Sequence, residues 1–274
     1  MKAAAEPLIQ WYPGHMAAAM RRIDRYIGLI DIVIEVVDAR LPRTGANPML
    51  AAVAGRRPRL IVLTREDLAE PAATVKWLMY FKKLHQPALT VNGKRPRSIA
   101  KIRPYLTDLA AKRNGAGAQK RALVVGIPNS GKSSVINGLI GHAAAATENR
   151  PGVTRGLQWF RVHPFLELMD TPGILVPKIE TAQAQWMLAL TGAIPRERYD
   201  PQDVVDRFAA WAETKPQPRG RIPTLQTFAD ARGFRRRGNL SDLHNAAHSY
   251  IKAFNDGVFG RTTLELPPDD RKRA

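Results

Sequence analysis

The 274-residue sequence contains no cysteine, which excludes disulfides and thiolate metal sites. No apolar run approaches the roughly 20 residues that a membrane span requires. The first residues, Met1-Lys2-Ala3-Ala4-Ala5-Glu6-Pro7, lack the apolar stretch of a secretory signal and the Arg/Ser-rich pattern of a transit peptide. The simplest reading is a cytoplasmic protein with no membrane association. Acid is scarce beside base: 24 Asp and Glu face 42 Lys and Arg, a net charge of +18. A chain this basic is drawn to polyanions. The excess is uneven, with 27 basic and 13 acidic residues over 1–185 against 15 and 11 over 186–274. The densest run is Lys94, Arg95, Arg97, Lys101, Arg103, Lys112, Arg113, Lys120 and Arg121, opposed only by Asp108. That one-signed footprint favours a nucleic-acid partner over a merely solubilising surface.

What is present is an alternation of short β-branched runs and helical periods. Met16, Met20, Ile23, Ile27 and Ile30 recur at helical spacing, predicting a helix over 16–30. Strands are expected at 31–37, 59–63, 88–91, 121–125 and 165–169, and helices at 98–113 and 131–140. This pattern predicts an α/β fold with a mostly parallel, doubly wound sheet. After about residue 180 the strands stop. Asp200-Pro201 opens a helix, Thr224 to Arg232 forms a short one closed by Gly233, and Ser241 is expected to cap a longer one. The expected organisation is a nucleotide-binding domain over 1–180, a small all-helical domain over 181–266 and a charged, disordered tail over 267–274.

Gly126-Ile-Pro-Asn129-Ser130-Gly131-Lys132-Ser133-Ser134 is a full Walker A pattern between a predicted strand and a predicted helix, the context that confirms a P-loop. Glycines let the backbone N–H groups turn inward around phosphates, Lys132 reaches the β- and γ-phosphates, and the Ser133 hydroxyl can ligate Mg²⁺. The helix dipole adds favourable potential. Asp170-Thr-Pro-Gly173 follows the next strand. There the carboxylate can hold Mg²⁺ and the Gly173 N–H can sense the γ-phosphate. Between them, Thr154 in Arg150-Pro-Gly-Val-Thr154-Arg suits a switch residue closing on Mg²⁺ and γ-phosphate, and it could also be an ordinary loop threonine.

A guanine-reading Asn-Lys-x-Asp should lie C-terminal to these motifs, and the chain has none there. Thr64-Arg65-Glu66-Asp67, directly after an upstream strand, is the nearest candidate, with Asp67 accepting from the guanine edge. Val91-Asn92-Gly93, after the following strand, could supply the second base loop. The motif order is therefore base, base loop, phosphate, switch, Mg²⁺, the order of a circularly permuted P-loop NTPase.

This arrangement resembles the circularly permuted GTPases of the YlqF/RbgA ribosome-biogenesis family and its mitochondrial Mtg-like relatives. Trp11-Tyr-Pro-Gly-His15-Met16, Val37-Asp38-Ala39-Arg40-Leu-Pro42 and Asp170-Thr-Pro-Gly-Ile-Leu-Val-Pro177-Lys178 are similar to that family's signatures, and the likeness runs along nearly the whole chain. The resemblance implies GTP/GDP and Mg²⁺ as ligands. It also implies a helical RNA-binding domain after the GTPase domain, and a role in late assembly of the large ribosomal subunit on its rRNA, as a monomer. One departure stands out: Thr64 and Arg65 occupy positions that are usually Asn and Lys. A threonine offers fewer polar groups than an amide, and the planar head of Arg65 packs differently from lysine.

Many GTPases place a glutamine after Asp-x-x-Gly to orient the attacking water; here Ile174 stands in that position. The resemblance points instead to His15, which could equally cap its helix. Asn129 resembles the asparagine that helps hold K⁺ in potassium-dependent GTPases, and an ordinary loop asparagine is as good an account. The candidate base contacts are Thr64, Arg65, Asp67, Asn92 and Gly93. The candidate phosphate contacts are Asn129, Ser130, Gly131, Lys132, Ser133, Ser134, Thr154 and Gly173. Ser133, Thr154 and Asp170 are the candidate metal ligands, and His15, Lys132 and Thr154 the candidate catalytic residues. Trp159, Trp186 and Trp211 read as packing residues, Arg232 to Arg237 with Phe234 as a weaker RNA candidate, and His244 and His248 as no metal site. The competing reading is a nucleotide-gated RNA-binding assembly module with negligible intrinsic turnover. An ATPase or kinase is disfavoured, because Asp67 reads guanine better than adenine.

Overall fold

The computed structural model describes residues 14–114, 120–141, 158–163, 166–171, 173–174, 179–215, 222–235 and 241–268. These divide into two compact units, one holding 14–174 with 263–268 and the other 179–262. Among the described residues no helix is long and apolar enough to cross a membrane.

The first unit opens with α1 (Gly14–Tyr26), which passes through a 3-10 turn at Ile27–Leu29 into β1 (Ile32–Asp38). α2 (Pro48–Ala54), β2 (Arg59–Thr64), α3 (Pro71–Lys83), β3 (Ala88–Thr90), α4 (Pro96–Ala100) and α5 (Ile102–Asn114) follow. Then come β4 (Lys120–Val125), α6 (Lys132–Ile140), β5 (Gln158–His163) and β6 (Leu166–Asp170). The sheet order is β3-β2-β1-β4-β6-β5, parallel throughout except for β5, which runs antiparallel along the β6 edge. All seven residues of β1 are buried, as a central strand covered on both faces requires. Ile32, Ile34 and Val36 join the core packed with α4, α5 and α6; Val37 and Ala39 join the other, with Trp77 and Phe81 of α3. The chain winds from β1 through β2 to β3 on one side and from β4 to β6 on the other. The order therefore reverses between β1 and β4, and the crevice beyond the carboxyl ends of these strands is where such sheets bind ligands.

The helix expected over 98–113 is two helices. Pro104 has no N–H, and its ring would clash with the carbonyl four residues back, at Ala100, so α4 stops there and α5 restarts after Lys101. Three elements of this unit, α2, α3 and β5, lie outside the expected pattern. α3 begins at Pro71 and buries only Ala73, Trp77 and Phe81, and the apolar alternation of the edge strand β5 is short, limited to Phe160 and Val162 packed against the core.

The second unit comprises α7 (Ala182–Leu190), α8 (Pro201–Glu213), α9 (Leu225–Ala231) and α10 (Leu243–Asp256). Phe208 is its hub, 5.1 Å from Phe254, 5.9 Å from Trp211 and 6.4 Å from Trp186 between ring centres. The Tyr250 hydroxyl donates to the Pro223 carbonyl at 2.8 Å. α10 is capped by Asp242, whose carboxylate accepts from the Asn245 N–H, and not by Ser241, whose hydroxyl bonds Gln226 and Asp230.

Thr263 to Glu265, expected within the helical domain, pack instead on the sheet unit. The Leu264 N–H donates to the Arg40 carbonyl at 2.7 Å, and the Trp77 indole donates to the Glu265 carbonyl at 3.0 Å. The Glu265 carboxylate accepts from the Arg43 and Thr44 N–H groups and the Thr44 hydroxyl. Buried and many-bonded, this carboxylate fastens a strap across the loop after β1.

Candidate functional site

The P-loop leaves β4 at Gly126 and enters α6 at Lys132. Asn129 sits at φ +58°, a left-handed conformation that few residues besides glycine and asparagine accept. The Lys132 ammonium is buried and donates to the carbonyls of Gly126 at 3.2 Å and Ile127 at 2.9 Å. Burial pulls its pKa down to about 8, against the attraction of Asp170. Asp170 ends β6, and both its carboxylate oxygens are buried without a hydrogen-bond partner. Burial pushes its pKa up to about 6, opposed by the Lys132 charge. The Ser130 hydroxyl is likewise buried and unpartnered. A buried carboxylate and hydroxyl with nothing to bond are costly unless a ligand completes them.

Carboxylate and hydroxyl oxygens are hard donors of the kind Mg²⁺ prefers; Asp170 ends β6, and Ser133 stands in the first turn of α6. Among the described residues no group of three or more His, Asp or Glu gathers to hold a metal unaided. Gly173 follows β6 so close to the P-loop that a Cβ there would stand 2.7 Å from Pro128 Cα, which only glycine permits. The next residue, Ile174, is fully buried: its N–H donates to the Gly126 carbonyl at 3.1 Å and its carbonyl accepts from the Asn47 amide at 2.8 Å. Ile174 is thus a clasp that fixes the segment after β6 to the P-loop.

The upstream motif lies beside this loop. Thr64 ends β2 beneath it, 1% exposed, its hydroxyl donating to the Ser130 carbonyl at 2.6 Å with the Val37 carbonyl at 3.2 Å. Arg65 follows at φ +55°, and its guanidinium donates to the Asn129 carbonyl at 3.0 Å and lies 3.6 Å from Asp38. Asp38 also takes a two-pronged ion pair from Arg40. Burial raises the Asp38 pKa, but Arg40 and Arg65 together hold it below the usual value. The pair Thr64-Arg65 therefore grips two successive P-loop carbonyls.

The Asp67 side chain is 28% exposed, with the Lys94 ammonium 4.0 Å away. Asn92 is buried and turns its loop by accepting from the Lys94 N–H at 2.9 Å. The Ser98 hydroxyl accepts from the Asn92 N–H at 2.9 Å and donates to Glu66 at 3.1 Å, tying the loops after β2 and β3 together. Gly93 seats that loop on α6, where a Cβ would come within 3.1 Å of Ser134. Asp67, Asn92, Gly93, Ser134 and the P-loop are thus brought to one end of the sheet, though they lie far apart in sequence. His15 lies in the first turn of α1, and its side chain is outside what the structure describes; Thr154 is outside the described residues altogether.

Sequence reasoning missed Asp38, Arg40, Asn47, Glu66 and Ser98 as parts of this site. The signal for the first two was the Asp-Ala-Arg run itself; a buried polar pair needs a polar partner, and Arg65 is it. Of the tryptophans, Trp186 and Trp211 pack in the helical unit. Trp159 is 38% exposed on the edge strand, with the Arg121 guanidinium 5.2 Å from its ring centre. Arg232 lies over the Phe228 ring and Arg235 pairs with Asp230; Arg236 and Arg237 are outside the described residues.

Comparison with known proteins gives this geometry its context. Residues 121–202 match the family described as 50S ribosome-binding GTPase. The chain is 42% identical to ribosome biogenesis GTPase A of Priestia megaterium over 95% of its length and 98% of that protein's. It is 34% identical to the Bacillus cereus protein of the same name, over 96% and 95%. The solved GNP-bound YlqF from T. maritima superposes with a TM-score of 0.67 at 29% identity, covering 92% of this chain and 99% of that one. The chain belongs to the ribosome biogenesis GTPase A (YlqF/RbgA) family and is a circularly permuted, GTP-hydrolysing P-loop enzyme.

Proposed function

We propose that the protein acts in the late assembly of the large ribosomal subunit. In this reading it binds that particle and its rRNA as a cytoplasmic monomer and hydrolyses GTP to GDP and phosphate chiefly while bound. Asp67, Asn92 and Gly93 read the guanine, and the P-loop N–H groups and Lys132 hold the phosphates. Ser133, Thr154 and Asp170 would hold Mg²⁺, which when bound neutralises phosphate charge; K⁺ beside Asn129 belongs to the same proposal. The relatives' printed names supply the assembly role, and the +18 charge supports an RNA partner.

The observation that carries the dependence on the ribosome is Ile174. It fills the position from which many GTPases orient the attacking water, yet it is apolar, buried and bonded at both backbone groups. No local rearrangement turns it into a water-positioning group, so that group comes from elsewhere. His15 is the candidate, acting once its segment is ordered by the particle. The test is multiple-turnover GTP hydrolysis by wild type and His15→Ala, each with and without purified large subunits. Strong stimulation of wild type, lost in the variant with nucleotide affinity kept, is expected. Free wild type already turning over at the stimulated rate would sink ribosome activation. Full stimulation of His15→Ala would make that histidine structural.

A further inference from the structure

Five cations stand within ten residues along one stretch of the sheet unit: Lys94 in the loop after β3, Arg95 and Arg97 at α4, Lys101 between the helices and Arg103 in α5. All five are exposed, with Lys94 75% exposed at its side chain. No acid interrupts them in sequence, and Asp108 lies a turn beyond Arg103. The nearest carboxylates on a packed neighbour are Glu66, which accepts from Ser98, and Asp67, 4.0 Å from the Lys94 ammonium. Tyr105, on the same helix as Arg103, is 45% exposed. An open ridge of like charge with an exposed aromatic fits a phosphate backbone carrying unpaired bases.

The ridge is also wired to the base loop. The Lys94 N–H is held by the Asn92 side chain, and Ser98, the α4 residue that receives the Asn92 N–H, donates to Glu66, next to Asp67. We infer that the ridge Lys94–Arg103 is an RNA-backbone-binding surface on the GTPase unit, and that Lys94, shared between RNA phosphate and Asp67, links RNA binding to guanine binding. This rests on the RNA-binding reading above. When a phosphate draws Lys94 away, the Asp67 carboxylate is left free to accept from guanine; when guanine engages Asp67, Lys94 is left free for phosphate. The two ligands then favour each other, and by reciprocity equally. Because the Lys94–Asp67 pair is exposed, the coupling is modest, about two- to fivefold.

The experiment measures fluorescence anisotropy of a labelled 20-nucleotide RNA, single-stranded and duplex, and affinity for a fluorescent GDP analogue with and without saturating RNA. The variant Arg95→Glu/Arg97→Glu/Lys101→Glu is compared with Lys76→Glu/Lys82→Glu/Lys83→Glu, which removes the same charge from exposed positions on α3. The ridge variant should lose RNA affinity by about tenfold more than the α3 control, while keeping its GDP affinity. In wild type RNA should tighten GDP binding, and in Lys94→Gln that effect should vanish. Equal losses in the two triple variants would overturn the placement. So would a ridge variant that binds RNA normally but no longer co-sediments with purified large subunits, since the surface would then face a ribosomal protein. GDP affinity indifferent to RNA in wild type would overturn the coupling. Wild type that binds no RNA at all would instead sink the RNA reading on which this rests.

Discussion

At the phosphate end of the site polar groups are buried without partners, whereas at the base end nearly every polar group is already engaged by the protein. Asp170 and the Ser130 hydroxyl have nothing to bond. Thr64, Arg65, Asn92, Ser98 and Glu66 are bonded to the P-loop or to one another. The first arrangement is destabilising until a charged ligand arrives, so it is where binding free energy is gained. The second is a pre-organised frame in which Asp67, the proposed acceptor for the base, meets only the exposed Lys94 ammonium among the described ion pairs. Affinity and selectivity are thereby assigned to different ends of the same sheet.

The sharpest way to break this contrast is to remove one group from each end. Lys132→Ala takes away the buried cation proposed to meet the phosphates, and it should weaken GTP and GDP alike by about a hundredfold or more. Asp67→Asn replaces an acceptor by an amide that also donates. It should cost about 10- to 100-fold for guanine nucleotides and relax preference toward xanthine nucleotides, whose base edge offers an acceptor there. Titration calorimetry with GDP, XDP and ADP reads both. If Asp67→Asn cost as much as Lys132→Ala, or Lys132→Ala altered base preference, the division between the ends would fail.

The phosphate end was legible in the sequence because its chemistry needs particular residues at short spacing: glycines, Lys132 and Ser133 within eight positions. The proposed base end could be read only by place, since Thr64-Arg65-Glu66-Asp67 departs from the usual motif and stands out only because it follows a buried strand. What Thr64 does was not legible. Its bond to Ser130 spans 66 positions, and a threonine hydroxyl carries no sign of its distant partner. The strap is the extreme case. Glu265 reaches Thr44 across 221 positions, so Thr263 to Glu265 read as the end of the helical domain. α7 was missed for another reason: Trp186 to Leu190 are all buried, so no polar face marks a helical period.

A gentler perturbation than mutation is pH. Asp170, pushed up to about 6 from 3.8, makes the ligand-free fold bind more protons than the unfolded chain between those values, so its contribution to stability falls as pH rises through that window. Lys132, pulled down to about 8 from 10.5, binds fewer protons when folded, and its contribution rises with pH between about 8 and 10.5. Mg²⁺–nucleotide binding wants the opposite states, an ionised Asp170 and a protonated Lys132. Affinity for Mg²⁺–GDP should therefore fall by up to about tenfold per pH unit below about 6. Asp170→Asn should already bind Mg²⁺–GDP weakly at pH 7 and lose this acid limb. An unchanged acid limb in that variant would assign it to another group, and Asp170 would not be the strained acceptor at the phosphate end.

The smallest expected effect probes whether the base end is as fully engaged as it is drawn. Arg65 holds a left-handed backbone at φ +55° while its guanidinium spans two acceptors, the Asn129 carbonyl at 3.0 Å and Asp38 at 3.6 Å. Asn129 is itself left-handed, at φ +58°, so this bond steadies a strained turn of the P-loop. A lysine carries one compact ammonium in place of a planar fork and serves either acceptor, not both. Buried Asp38, already paired with Arg40, would draw it more strongly than a carbonyl does. Arg65→Lys should therefore leave Asn129 less restrained and weaken GDP by about two- to fivefold, mostly through faster dissociation. The ratio of guanine to adenine affinity should not move, because Asp67 is untouched. Stopped-flow displacement of a fluorescent GDP analogue gives the rate, and competition with ADP gives the ratio. A changed ratio would mean that Arg65 itself meets the base, so that selectivity rests on two groups at that end and not on Asp67 alone.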